Sequence, residues 1–262
     1  MVMNGGTDAP ALRGKQLELH QRDERVLALA QSIFIDKGFQ AVTIDAIARE
    51  LGYSRGTLYQ RFSCREELVL ELAIRCHRQI TAVMEHASRF PGRSRERVVA
   101  IGAAIDRYAS LYTDNLRILA VIDSEMVREK APPDQLQRLQ QAQRAMLAIP
   151  AGLIEEAVAA GDLVLPPKAT VGSLCMALAA LISGWAQLHR RFSGMHELPV
   201  ATSLEDILRS AHLLMDGFGW RPFFQEWDYE QTYQRVGKAL LGLPTLNTPT
   251  GEQAARGKEV VT

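Results

Sequence analysis

The sequence predicts an all-α fold, with an N-terminal unit of three helices followed by a larger C-terminal helical domain. Apolar residues recur every three to four positions along most of the chain, and no long run alternates as a strand would. Glycines, prolines and N-cap residues interrupt this pattern at intervals typical of helix ends. The chain has 262 residues, of which 47% are hydrophobic, so it can bury a substantial core.

The first helix is predicted between Asp23 and Gly38, where apolar residues share one face and a glycine ends the pattern. Residues 1–20 are predicted to be a flexible tail. Together with the two short helices that follow it, the first helix is assigned to an N-terminal domain of residues 21–75.

Two short helices joined by a tight glycine turn are expected between residues 43 and 62, as a helix-turn-helix. Thr43 and Ser54 can accept hydrogen bonds from the first backbone N–H groups of these helices. The second helix would have to enter a major groove about 12 Å wide, so its exposed face should be small and polar. The residues that supply such a face are Arg55, Gly56, Thr57 and Gln60.

Positive charge is concentrated at this motif. Arg55, Arg61 and Arg65 are basic, and no acidic residue occurs between positions 51 and 64, which favours contact with phosphates. Ser63 precedes Glu66 by three residues, which predicts a capping box at the start of a fourth helix. That helix end can also point backbone N–H groups at a phosphate.

At these positions the chain resembles the TetR family of transcriptional regulators. The resemblance covers residues 22–75 and is most specific over Gly52-Tyr53-Ser54-Arg55-Gly56-Thr57-Leu58-Tyr59. Two positions depart from the family pattern. Arg65 stands where Lys is usual, which keeps the positive charge, and Cys64 stands where a small polar residue is usual.

The resemblance implies a homodimeric regulator that binds double-stranded operator DNA and a small-molecule effector. Members are usually repressors, but some activate transcription, so the sign of regulation stays open. By position, Thr43, Tyr59 and Arg65 are implied to contact phosphates. The residues implied to reach bases or nearby phosphates are Arg55, Gly56, Thr57 and Arg61. Ser54 and Gln60 complete the candidate DNA-binding set.

Residues 76–243 are predicted to form a helical ligand-binding and dimerisation domain, before a disordered tail over 244–262. Its expected helices are 95–113, 116–128, 134–160, 169–192, 203–218 and 229–241. Pro150 is expected to kink or divide the third of these, because proline lacks a backbone N–H and clashes with the preceding turn.

The helices Ala169–Phe192 and Ser203–Phe218 are predicted to pair with their symmetry mates in a four-helix dimer interface. Residues 169–188 carry no charge and are long enough to span a bilayer. Their Ala, Gly and Ser content favours a helix buried against other helices over a membrane anchor. A secretory signal is not expected, and a cytoplasmic location without membrane attachment is predicted.

The effector pocket is predicted among the helices between residues 95 and 192, because bundle interiors commonly hold apolar cavities with a few polar groups. The candidate ligand-binding residues are Tyr108, Tyr112, Met126, Trp185 and His189. Core packing is the alternative for the two tyrosines, which are four residues apart, and the dimer interface is the alternative for Trp185 and His189.

Charge, cysteines and motifs exclude several classes of function. Lys and Arg together number 30, as do Asp and Glu, so nucleic acid could be bound only through a local patch. Three widely spaced cysteines form neither a disulfide framework nor a zinc motif. Nucleotide-binding, metalloprotease and hydrolase motifs do not occur, so no metal or cofactor is expected. A helical enzyme is the weaker alternative to a regulator.

Overall fold

A computed structural model of the protein describes residues 8–122, 125–192 and 204–240. Its α-helices in these ranges are α1 (Asp8–Lys37), α2 (Ile44–Leu51), α3 (Arg55–Tyr59), α4 (Arg65–Ser88), α5 (Ser94–Leu111), α6 (Thr113–Ile122), α7 (Glu125–Lys130), α8 (Pro133–Ala160), α9 (Val171–Phe192), α10 (Leu204–Gly217) and α11 (Tyr229–Leu240). Short 3-10 helices lie at Phe39–Ala41 and Phe224–Glu226. The all-α prediction is confirmed, and the β-structure within the described ranges is one isolated bridge between Leu163 and Trp220.

The first helix begins earlier than predicted. It starts at Asp8, so residues 8–20 are helical and the prediction of a flexible tail is wrong for them. The physical reason is composition, since this stretch is rich in Ala, Leu, Lys, Gln and Glu, which favour helix even without an apolar face to bury. The described side chains of residues 16–20 are correspondingly exposed, with Leu17 57% and Leu19 41% accessible. The predicted tail over 244–262 lies outside the described residues.

The position of a proline does not predict where the helices of this chain end. α8 continues through Pro150 without being divided. Tyr112, with φ −126° and ψ 50°, separates α5 from α6. In the helix predicted over 116–128, the described residues 116–122 and 125–128 are helical.

The chain forms two compact units. Among the described residues, the first consists of 8–76 and 114–139, and the second of 77–113 and 140–240. Helices α6 and α7 therefore group with the N-terminal helices, although they come later in the chain. One contact within this first unit is buried: Gln31 Nε2 donates to Asn115 Oδ1 at 3.0 Å.

The second unit has an apolar core and a buried polar network. Trp220, Ile154, Ala157 and Leu174 lie fully buried in the core. Beside them, the Arg95 guanidinium at the start of α5 has no exposed surface. It donates to the carbonyls of Trp220 and Pro222, to Nδ1 and the carbonyl oxygen of His212, and it pairs with Asp216; the distances to Pro222 and His212 are 2.8 and 3.0 Å. This network fixes the connection between α10 and α11 against α5.

Candidate nucleic-acid interface

Two N-caps and a glycine turn build the helix-turn-helix. Thr43 Oγ1 accepts a hydrogen bond from the Ala46 N–H at 3.1 Å, so the predicted cap of α2 is present. Gly52 ends α2 with φ 69°, a left-handed conformation that favours glycine and turns the chain sharply. Ser54 Oγ then accepts from the Thr57 N–H at 3.1 Å and caps α3.

The inner face of the motif fixes which way α3 points. Leu58 and Phe62 are buried, as is Ile47 on α2, in agreement with the sequence prediction, whereas Leu51 is only partly buried. Because Leu58 anchors one side of this short helix, the residues one turn away must face outward. The helix ends at Tyr59, two residues earlier than predicted, so Gln60 and Arg61 lie in the turn after it.

The outer face is open and polar. Arg55, Gly56, Tyr59 and Gln60 are exposed, while Thr57 and Arg61 are partly exposed. Tyr59 is 50% accessible, so it is not the core aromatic that was the alternative interpretation. A Cβ placed on Gly56 would come no closer than 4.0 Å to any neighbour, so the packing of the protein does not itself require glycine there. Glycine leaves the centre of this face free for close approach of another surface.

Two arginines of the motif are held by aspartates. Arg55 Nε lies 3.3 Å from Asp45 Oδ1 at the start of α2. Arg61 Nε donates to Asp23 Oδ2 on α1 at 2.7 Å. Neither pairing was predicted, and for Arg61 the partner is 38 residues away in sequence, so no local pattern indicates it. Any phosphate that approaches these arginines has to compete with a carboxylate.

Arg65, in the first turn of α4, is also oriented by its neighbours. Its Nη1 donates to Gln40 Oε1 at 2.8 Å, its Nε lies 3.2 Å from Glu66 Oε1, and its guanidinium stacks 5.0 Å from the Phe39 ring centre. Sequence reasoning missed the role of Phe39 and Gln40. They lie in the 3-10 helix before α2, a type of element that periodicity does not detect.

Ser63 is hydrogen-bonded to a different acid from the one that the predicted capping box would use. The Ser63 N–H and hydroxyl both donate to Glu67 Oε2, at 2.7 and 3.0 Å, rather than to Glu66. The reason is that α4 begins at Arg65, which makes Glu67 its third residue. The prediction of Glu66 is therefore wrong by one position. Glu66 instead pairs with Arg65.

Residues 26–72 match the family described as bacterial regulatory proteins, tetR family. The matched segment contains α2, the glycine turn and α3, together with most of the residues that orient their arginines. The helix-turn-helix of this chain is therefore similar to that of the tetR family of bacterial regulatory proteins.

Curated relatives of this chain include an activator and a repressor of transcription. The HTH-type transcriptional activator FasR of Mycolicibacterium smegmatis is 33% identical over 88 residues, which cover 34% of this chain and 40% of FasR. The HTH-type transcriptional repressor BepR of Brucella suis is 25% identical over 156 residues, 58% of this chain and 73% of BepR. The match to FasR thus spans less than half of that protein's length.

Solved structures share the fold over most of the chain. FadR of Bacillus subtilis, solved in complex with stearoyl-CoA, matches with a TM-score of 0.54 at 17% identity, and the match covers 74% of this chain and 98% of that one. At this identity the likeness establishes the fold alone. The shared fold extends beyond the helix-turn-helix into the C-terminal helices.

The structure brings the candidate ligand residues only partly together. The Tyr108 and Tyr112 rings lie 5.0 Å apart, and the buried Tyr108 hydroxyl donates to Gln79 Oε1 on α4 at 3.1 Å. Trp185 is half-buried on α9. The side chains of Met126 and His189 lie outside the described residues. A ligand role for all five stays a prediction.

Proposed function

We propose that this protein is a DNA-binding transcriptional regulator, most simply a repressor that a small-molecule effector releases from its operator. The observation that carries the proposal is the capped, outward-facing α3, whose exposed side consists of Arg55, Gly56, Tyr59 and Gln60. In helix-turn-helix proteins the first residues of the second helix contact base edges. The matched family and the relatives FasR and BepR are regulators, which speaks against the enzymatic alternative.

The surroundings of each candidate residue indicate whether it would contact a base or a phosphate. Arg55 is the most exposed of the three arginines and has a planar group suited to bidentate contact with guanine, so it would read a base. Thr43, Ser54, Thr57, Arg61 and Arg65 would address phosphates or nearby base edges, and the Tyr59 hydroxyl would donate to a phosphate.

The decisive experiment maps the genomic DNA bound by the protein and then compares variants on that site and on random duplex. Arg55→Ala should cost about 1–3 kcal/mol on the specific site and much less on random DNA. Arg65→Ala should weaken both equally and flatten the salt dependence. An equal loss on both duplexes for Arg55→Ala would assign this arginine to the backbone, and failure to bind any genomic region would refute the function.

A homodimer is the proposed active form, because two half-sites one DNA turn apart multiply specificity. Support comes from the outer face of α9, where exposed positions recur at helical spacing and are mostly small: Gly172, Met176, Ala180, Ser183 and Gln187. On α10, Leu213 is 62% exposed. Small residues allow helices to pack closely, and exposed apolar area is stabilised by burial against a partner. Within the described ranges, α9 is also the helix long and apolar enough to cross a membrane, which by itself is weak evidence for a span.

Gly184 offers a clean test of this interface. A Cβ at Gly184 would have no neighbour within 4 Å among the described residues, so Gly184→Leu should leave the single chain folded. We expect the variant to be monomeric by light scattering while its helical content is unchanged. A wild-type protein that is monomeric at all concentrations would contradict the dimer.

The effector is proposed to act through α4. Its residues up to 76 belong to the first compact unit and those from 77 onward to the second, and Gln79 accepts the hydrogen bond of Tyr108. A ligand that displaces Tyr108 would therefore act on the helix whose first residue is Arg65. A tenfold release from DNA needs about 1.4 kcal/mol of coupling, which is within the usual allosteric range.

The ligand site is tested by Tyr112→Trp in a reporter assay. Loss of induction with intact DNA affinity would support the pocket, whereas unchanged induction across substitutions at all five candidates would place it elsewhere. The same assay decides the sign of regulation. Activation is the second candidate, because the relative FasR is a transcriptional activator. An activator would be recognised by loss of transcription when the gene for this protein is deleted.

A further inference from the structure

A groove of about 400 Å³ lies in the first unit between α1 and the turn of the helix-turn-helix. Its lining residues are Glu18, Leu19, Gln21, Arg22, Arg25 and Tyr53. None of them belongs to the DNA-binding set implied by the family resemblance. The groove is open to solvent, and its walls combine two guanidinium groups with one phenol.

The charge of the groove is positive because the neighbouring acids of α1 are engaged elsewhere. Asp23 accepts from Arg61 at 2.7 Å, and Glu24 accepts from Arg75 at 2.6 Å. Across the part of the chain that the structure describes, Arg22 and Arg25 have no such partner. Glu18 is the one carboxylate in the lining, against two guanidiniums. The arginines of the helix-turn-helix, in contrast, are each held by a carboxylate.

The groove is held next to the end of α3 that reads bases. Tyr53 immediately precedes Ser54, the N-cap of α3, so the groove begins one residue, about 3.8 Å of chain, before the recognition helix. The ion pair between Asp23 and Arg61 ties the adjacent turn of α1 to the segment after α3. Phosphates border both sides of a major groove about 12 Å wide, so they flank a helix that enters it.

From this geometry we propose that the groove is a second DNA contact, in which Arg22 and Arg25 bind backbone phosphodiesters that flank the bases read by α3. Tyr53, which also lines the groove, would donate its hydroxyl to the same phosphates. This inference rests on the proposed function and adds a binding site to it. The site would lengthen the footprint of each half-site without adding sequence preference, because phosphates carry no direct sequence information.

The test uses the full-length protein and a duplex of about 40 bp, four helical turns, selected by the wild-type protein from a random library. Removing one arginine that binds a phosphate should lower affinity about fivefold at about 0.15 M salt and reduce the salt slope by about 0.9. Arg22→Gln with Arg25→Gln should therefore weaken selected and random duplex by the same factor. Replacement of both arginines by Lys should restore most of the affinity, since Lys also binds phosphate as a point charge.

Neutral methylphosphonates placed in the flanking backbone identify the contact. They should weaken the wild-type protein and leave the double Gln variant unaffected. Arg144→Gln, an exposed arginine on α8, is the matched control and should bind like wild type. Should the double variant unfold by circular dichroism, Arg25→Gln alone carries the test, because its side chain is exposed.

Two results would overturn the proposal. One is a double variant with unchanged affinity and salt slope, and the other is an equal effect of neutral phosphates on variant and wild type. In both cases the wild-type protein would still select a duplex, so the proposed function would stand. A wild-type protein that selects no duplex would instead refute the function itself.

Discussion

Arg55 at the start of α3 and Arg95 at the start of α5 are both paired with an aspartate, in opposite surroundings. The Arg55 side chain is 74% exposed, and its partner Asp45 is 44% exposed at 3.3 Å. The Arg95 side chain is fully buried and lies 2.6 Å from Asp216. An exposed ion pair contributes about 1 kcal/mol or less, so Arg55 can exchange its partner for DNA. Removal of the Arg95 guanidinium would leave a partly buried carboxylate and several carbonyls without their donor.

The largest expected effect is therefore at Arg95. Arg95→Met should lower the free energy of unfolding of the second unit by about 3–5 kcal/mol, because Asp216 and the carbonyls of Trp220 and Pro222 lose their donor. Urea unfolding followed by tryptophan fluorescence measures this, since Trp220 lies in the network. Arg144→Met, on the exposed side of α8, should change stability by less than about 0.5 kcal/mol. Equal effects of the two substitutions on the free energy of unfolding would show that the buried network around Arg95 does not stabilise the fold.

The same network predicts a pH dependence of stability. Burial, reinforced by the charge of Arg95, lowers the pKa of His212 from 6.5 to about 3. Below pH 6.5 the unfolded chain binds a proton that the folded chain does not, so stability present above that pH is lost as the pH falls toward 3. The loss should be about 1.4 kcal/mol per pH unit.

His212→Asn isolates that effect, because an amide oxygen can still accept from Arg95 Nη2 but does not titrate. Between pH 6.5 and about 4 the free energy of unfolding should fall less steeply with pH in the variant than in the wild type. The difference in slope corresponds to the uptake of one proton on unfolding. Identical slopes in denaturant titrations across this range would show that His212 does not titrate as its burial requires.

At the exposed pair, removal of the acid should affect binding more than stability. Asp45→Asn should leave the free energy of unfolding within about 1 kcal/mol of wild type, because the pair is solvated. Affinity for random DNA should rise about two- to fivefold when Asp45 no longer places a negative charge next to Arg55, so the ratio of specific to random binding falls. Competition titrations measure the ratio. Glu230→Gln, on the exposed side of α11, is the charge-matched control and should leave it unchanged.

The smallest effect is expected at Gly56. Gly56→Ala should stabilise the fold by about 0.5–1 kcal/mol, because a Cβ there meets no close neighbour and alanine favours helix. DNA affinity should nevertheless fall, since the methyl group occupies the face presented to the duplex. Gly237→Ala on α11 also has open space around its Cβ and should give a similar gain without loss of DNA affinity. A variant at Gly56 that is more stable and binds DNA normally would remove this residue from the interface.

What the sequence could predict depends on how far apart the interacting residues lie. The caps at Thr43 and Ser54 involve donors three residues away, so local pattern located both. The cap of α4 was misplaced by one residue, because helix boundaries are uncertain by about that much. The partners of Arg95 lie more than a hundred residues later, and nothing in the sequence around Arg95 indicates them. The pairing of Arg61 with Asp23 escaped prediction for the same reason.

The grouping of residues 114–139 with the N-terminal helices bears on attempts to transplant this protein's specificity. In a fragment that ends at residue 76, Glu67 would lose Gln135, Glu71 would lose Arg138, and the buried amide of Gln31 would lose Asn115. Each of these changes strands a buried or half-buried polar group. A chimeric regulator made by joining residues 1–76 to another effector domain would begin with these defects. A DNA-binding unit transferred to another protein would therefore have to include both residues 8–76 and residues 114–139.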